Sequence, residues 1–182
     1  MGALTKESYL PDYTYEDYKL WEGEWELING IPYSMAPSPM IEHQNISGKI
    51  SYQLHEQLKL NRCNNCTVLL AIDWKIDDQT VVQPDNLVIC HTPLNPAYIQ
   101  KAPKLIFEIL SKSTKKRDLT VKYELYEKEG VKYYVIVDPT EKLAKVYQLM
   151  NGRYSCIATT QEETINLDLG ECNLAFNFGE IF

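Results

Sequence analysis

Three carboxylates stand where a strand sequence would ordinarily carry valine. Asp85 interrupts "TVVQPDNLVIC", Glu108 is central in "KLIFEIL", and Glu26 falls within "WELINGIPYSM". A carboxylate among apolar neighbours is costly to bury unless it is paired, protonated or bound to a cation. Alternation along "LIFEIL" sets Ile106, Glu108 and Leu110 on one face, with Leu105, Phe107 and Ile109 on the other. Glu108 therefore points into an apolar layer unless that face opens into a cleft. Carboxylates that converge repel one another unless a divalent cation lies between them, and oxygen-only ligands suit Mg²⁺ or Mn²⁺ better than zinc. Carboxylates that stay apart need separate partners, which the thirteen tyrosine hydroxyls could supply. Pro84 cannot donate to a ladder, so it marks an edge, a strand start or a bulge beside Asp85.

The segment after Glu108 adds cations. Lys122 lies four residues beyond Asp118 and four before Tyr126, so on a helix the three share a face. Two roles fit it. One is an exposed ion pair with Asp118, worth roughly 0.3–0.5 kcal/mol. The other places its ammonium over the carboxylates, where it could orient water or stabilise charge on a phosphoryl oxygen. The stretch "SKSTKKRD" gathers Lys112, Lys115, Lys116 and Arg117. Alone it reads as a solvated helix start; beside a carboxylate cluster it becomes a surface for a nucleic-acid backbone.

The elements that must position these groups follow from periodicity and turn chemistry. "TYED" has capping-box spacing and predicts a short helix over about 15–21. Asn29-Gly30 and Asn151-Gly152 each sit between apolar runs and predict type I′ hairpins. Ile46, Ile50, Leu54 and Leu58 recur every four residues, predicting a helix over about 42–60. "TVLLAIDWKI" and "TVVQPDNLVIC" read as an antiparallel pair turning at "DDQ", and a loop with Pro93, Pro96 and Pro103 follows. "KLIFEIL" and "KYYVIVD" are apolar on both faces and so central. Between them, "STKKRDLTVKYELYEKEG" predicts one helix capped by Ser113 or Thr114 and Gly130, giving a parallel strand–helix–strand crossover. Residues from about 156 to 182 read as further strands closing the sheet, with no assigned chemistry. The fold class is α/β (α+β), a mixed sheet with helices on its faces.

Length and composition narrow the function classes. The 182 residues suit one domain spanning 1–182, and a net charge of −7 disfavours broad, non-specific nucleic-acid binding. No run is long enough to span a bilayer, and "MGALTKESYLPDY" has no signal-peptide core. The expectation is a cytoplasmic protein without a membrane partner. Five cysteines form no evident secreted framework; the lone C-x-x-C of Cys63 and Cys66 lacks two more zinc ligands, so reduced thiols are expected. There is no G-x-S-x-G elbow, and "GKIS" lacks the upstream glycine of a phosphate-cradling loop.

A proline-aspartate, a second strand bearing an acid and a nearby lysine resemble the PD-(D/E)XK nuclease superfamily. Within it, "YTYEDYKLWEGEWELINGIPYSMAPSPMIEHQNISGKI", "VVQPDNLVI" and "EILSKSTKKRDLTVKYELYEKEGVKYYVIVDP" are similar to the Uma-type restriction endonucleases, over about residues 13 to 155. The resemblance implies a restriction endonuclease-like fold, with Asp85 and Glu108 as ligands of Mg²⁺ or Mn²⁺. The superfamily lysine two positions after the glutamate is Leu110 here, and Lys122 on the next helix fits the displaced position. Glu26 matches an extra acid early in the core. Gln83 faces the same side of its strand as Asp85, in reach of water at the ion, and His43 and Gln44 match a recurring family feature or serve as a helix start. The implied activity is hydrolysis of phosphodiester bonds in nucleic acid, DNA in particular, by a homodimer. The alternative is a nuclease fold without catalysis, acting as a binding or assembly module.

Overall fold

A computed structural model describes residues 10–35, 40–92 and 97–182. Pro93, Pro96 and most of "MGALTKESYLPDY" lie outside the described residues. The two strands with no polar face take the centre, as burial on both sides requires. β7 (Leu105–Ile109) and β8 (Tyr133–Asp138) pair in parallel within a six-stranded sheet. It is completed by β3 (Cys66–Leu70), β6 (Asn86–Cys90), β9 (Leu143–Met150) and β10 (Arg153–Thr160), in the order β10-β9-β8-β7-β6-β3. Its other pairings are antiparallel.

One face is covered by α2 (Ile41–Leu60), whose Ile46, Ile50, Leu54 and Leu58 meet Leu105, Phe107 and Ile109. The opposite face carries Ile106, Tyr134 and Ile136 against Leu125 and Tyr126 of the crossover segment. That second layer also includes a four-stranded sheet, ordered β2-β1-β5-β4. Its strands are β1 (Trp25–Ile28), β2 (Ile31–Ser34), β4 (Trp74–Asp77) and β5 (Thr80–Val82). The expected single hairpin from "TVLLAIDWKI" to "TVVQPDNLVIC" therefore belongs to both sheets. Its base, β3 and β6, pairs in the large sheet, and its tip, β4 and β5, pairs in the small one. The chain turns the corner at Ala71, with φ of 43°, and at the buried Pro84, which follows β5 and precedes β6. A residue with no N–H costs the ladder nothing there.

Several expectations need correction. The capping box forms, with Asp17 accepting from the Thr14 backbone and hydroxyl at 2.8 Å each, but α1 (Tyr15–Tyr18) stops three residues early. The crossover is two helices, α3 (Lys115–Leu119) and α4 (Val121–Lys128), broken at Thr120 where ψ is −81°. The C-terminal strands do not close the main sheet: β11 (Thr164–Asp168) and β12 (Asn173–Asn177) form their own ribbon over the α2 face. Four of the five cysteines are not reduced thiols but two disulfides, Cys63–Cys172 and Cys66–Cys90, while Cys156 is free, as expected. Cys66 and Cys90 face each other across β3 and β6, while Cys172 reaches Cys63 only because the ribbon folds back over α2. Among the described residues no helix is long and apolar enough to cross a membrane.

Candidate active site

The site forms where β6 and β7 part. Their register ends at Asn86 opposite Phe107, so the N–H of Ile109 has no partner on β6. Asp85, in the bend just before β6, supplies one: its Oδ2 accepts from Ile109 N at 2.7 Å and lies 3.2 Å from His43 Nε2. The carboxylate is thereby fixed beside Glu108, whose side chain emerges from the centre of β7 and is only 4% exposed.

Glu108 Oε1 accepts from Lys122 Nζ and from the Tyr126 hydroxyl, both at 2.8 Å. The i, i+4 spacing on α4 brings both donors to one oxygen. Lys122 is 2% exposed, so it does not reach solvent. Its ammonium also lies 2.8 Å from Glu26 Oε1 and 3.7 Å from Asp118 Oδ1. Glu26, fully buried in β1, accepts from the Gln83 backbone at 2.9 Å and faces Arg117 Nε at 3.1 Å. The Arg117 guanidinium in turn lies 5.3 Å from the Tyr33 ring centroid.

The electrostatics are unbalanced. Asp85, Glu108, Glu26 and Asp118 surround Lys122 and Arg117, with His43 the remaining group able to carry a positive charge. Burial pushes the Glu108 carboxyl well above its ordinary range; Lys122 pulls it back, while Asp118, Asp85 and Glu26 push it further. Burial likewise raises Asp118. For Lys122 burial opposes the charge, but Glu108, Glu26 and Asp118 together outweigh it and hold the ammonium. Burial also disfavours the His43 imidazolium, and the hydrogen bond and charge of Asp85 outweigh that too.

This donor set fits a divalent cation. Glu108 Oε2 and Asp85 Oδ1 have no hydrogen-bond donor among the described residues, and added positive charge would relieve the carboxylate excess. Among the described residues no three His, Cys, Asp or Glu groups form a ready-made metal cage. Two carboxylates suit Mg²⁺, which keeps several of its waters.

The structure thus brings together Asp85, Glu108, Lys122, Glu26 and His43. Gln83 joins through its backbone, while its side-chain amide turns to Asp73 at 3.3 Å. Gln44 is elsewhere, lining a surface groove with Lys49 and Glu180. Of the basic strip, Lys112 and Lys116 are exposed and Lys115 pairs with Asp138 at 2.9 Å. Arg117 leaves the strip and points inward to Glu26, so it cannot also serve an external backbone. Asp118 and Tyr126 are the members that sequence reasoning missed as site groups. The shared face of Asp118, Lys122 and Tyr126 was the available signal, but it could not tell an outward face from an inward one.

Comparison with known proteins bears on the family and the fold. The sequence model of the Uma2 family, described as "Putative restriction endonuclease", matches residues 15–177. A solved structure, "a putative nuclease belonging to DUF820 from Anabaena variabilis ATCC 29413", superposes with a TM-score of 0.73 at 18% identity. That match covers 93% of this chain and 97% of the other, and at that identity the likeness is one of fold: restriction endonuclease-like, with a mixed central sheet. No curated protein matches the chain.

Proposed function

The chain belongs to the Uma2 family, and from that membership we propose that it is a divalent-metal-dependent endonuclease hydrolysing phosphodiester bonds, with DNA as substrate. The observation carrying the proposal is the carboxylate excess around one buried ammonium, with Asp85 and Glu108 each keeping an oxygen without a donor among the described residues. Asp85 and Glu108 would hold Mg²⁺ or Mn²⁺. Such an ion supplies Lewis-acid activation of water and neutralises charge on the phosphoryl group.

The residues themselves do the rest. Lys122 keeps its proton, and its buried ammonium beside Glu108 would act on a nucleophilic water or a phosphate oxygen through the field it sets at the carboxylates. Glu26 and Tyr126 hold that ammonium and its partner in register, and Arg117 holds Glu26. Position 110 is leucine, so the cation is delivered from α4 rather than from β7. Lys112 and Lys116, exposed at the start of the same crossover, suit contact with the nucleic-acid backbone.

Calorimetric titration of Mn²⁺ into the wild type and into an Asp85→Asn, Glu108→Gln double variant tests this. Saturable binding that the double variant loses is expected, together with Mn²⁺-dependent cleavage of plasmid DNA. A wild type that neither binds Mn²⁺ nor cuts in its presence would refute the proposal.

A further inference from the structure

A second cavity, of about 250 Å³, opens near this cluster, walled by Tyr15, Tyr18, Trp21 and Trp25 with Asp73 and Lys19 at its edge. The rings support one another. Trp21 lies 5.6 Å from both Tyr18 and Trp25 at steep angles of 66° and 62°, while Tyr15 and Tyr18 are within 22° of parallel. Edge-to-face packing of this kind holds the aromatic walls in fixed orientations.

One polar group turns the cavity from a hydrophobic gap into a recognition site. Asp73 Oδ1 accepts from the Tyr18 hydroxyl at 3.1 Å and from Gln83 Nε2 at 3.3 Å, while Oδ2 has no donor among the described residues. That oxygen can accept a ring or exocyclic N–H. Gln83 also connects the cavity to the carboxylates, since its backbone N–H donates to Glu26 at 2.9 Å. At the Tyr15 rim, Lys75 Nζ lies 4.3 Å and Lys19 Nζ 5.5 Å from the ring centroid. Lys19 and its partner Glu16 are 44% and 78% exposed, and an exposed pair is weak enough for a phosphate to displace it, whereas Lys75 is 15% exposed beside Asp78.

We propose that this cavity takes one unstacked nucleobase, so the substrate is engaged as a single strand or with a base turned out of the duplex. This rests on the nuclease reading above and specifies its substrate class. A planar, neutral, N–H-bearing ligand suits aromatic walls with one acceptor and Lys19 at the rim. An alkylammonium, the other ligand that aromatic walls select, would meet Lys19 at the rim and find the Tyr15 ring already carrying the Lys75 ammonium.

Anisotropy titrations in EDTA, with a labelled single-stranded oligodeoxynucleotide and with its duplex, test the proposal. The single strand is expected to bind more tightly than the duplex. Trp21→Ala should weaken it roughly tenfold, within the range for one lost base stack, and Trp21→Phe should keep most of the affinity. Equal affinity for strand and duplex, or Trp21→Ala binding like the wild type, would overturn the inference, as would a Trp21→Phe loss equal to that of Trp21→Ala. Mn²⁺ titration of the same proteins separates the two claims. An intact carboxylate-dependent metal site without strand preference discards the pocket alone; strand preference without a metal site discards the metal-dependent reading alone.

Discussion

The buried carboxylate at 108 is a burden on the fold. Its folded-state proton affinity is raised, chiefly by burial, so the native protein binds that proton more tightly than the unfolded chain does. Stability from this group therefore falls as pH rises above the ordinary carboxylate value of about 4.3. Glu108→Gln removes the charge and keeps an acceptor for Lys122 and Tyr126. In EDTA at neutral pH it should stabilise by about 1 kcal/mol, raising the melting temperature by roughly 2–4 °C, with the gain vanishing below pH ~4. Calorimetric melts across pH check this, and a variant less stable at every pH would sink the account. Lys122→Met is the opposite case. It strands Glu108 and Glu26 without their shared cation and should cost roughly 3–5 kcal/mol in chemical denaturation. A change under 1 kcal/mol would mean the ammonium is not what holds these carboxylates.

At the scale of elements, turn chemistry was legible because it is local. Both Asn-Gly pairs form the expected hairpins with positive φ: 51° and 74° at Asn29-Gly30, 53° and 79° at Asn151-Gly152. Their surroundings differ. A Cβ on Gly30 would come within 3.1 Å of the Asp12 backbone, whereas one on Gly152 would meet nothing within 4 Å. Gly152→Ala should cost about 1 kcal/mol for its left-handed backbone alone. Gly30→Ala should cost that plus roughly another 1–2 kcal/mol, read as the difference in urea midpoints at unchanged slope. Equal costs would show that the Asp12 segment yields freely. The apolar stripe of α2 was equally legible, since a four-residue repeat of large aliphatics has one low-energy arrangement. The break at Thr120 was not. No Pro or Gly announces it, and the Tyr134 hydroxyl donates at 2.9 Å to the carbonyl of Asp118 just before it.

At the scale of the molecule, the disulfides tie the ribbon and the edge strand to the core. Cys63–Cys172 spans 109 residues and Cys66–Cys90 spans 24. On loop-closure entropy, removing the longer link by Cys63→Ser with Cys172→Ser should cost about 4–5 kcal/mol, and removing the shorter about 3. Thiol titration of the unreduced, denatured protein should count one reactive group, Cys156, and five after reduction. Five thiols before reduction would return the cysteines to the reduced state that their spacing alone suggested.

The sequence by itself determined which carboxylates stand in apolar strands, which strands are central, where the tight hairpins fall and which face of α2 is buried. These follow from period-2 and period-3.6 patterning and from turn stereochemistry, all set within a few residues. Its long wording matched a family, and residues 15–177 carry that match. Tertiary structure decided the rest. It split one hairpin between two sheets at Ala71 and Pro84, and turned Arg117 and Asp118 inward. It paired cysteines 109 residues apart and set an aromatic cavity one glutamine away from Glu26. Each of these depends on which surfaces meet across the chain, and a pattern read along the chain contains the faces but not their neighbours.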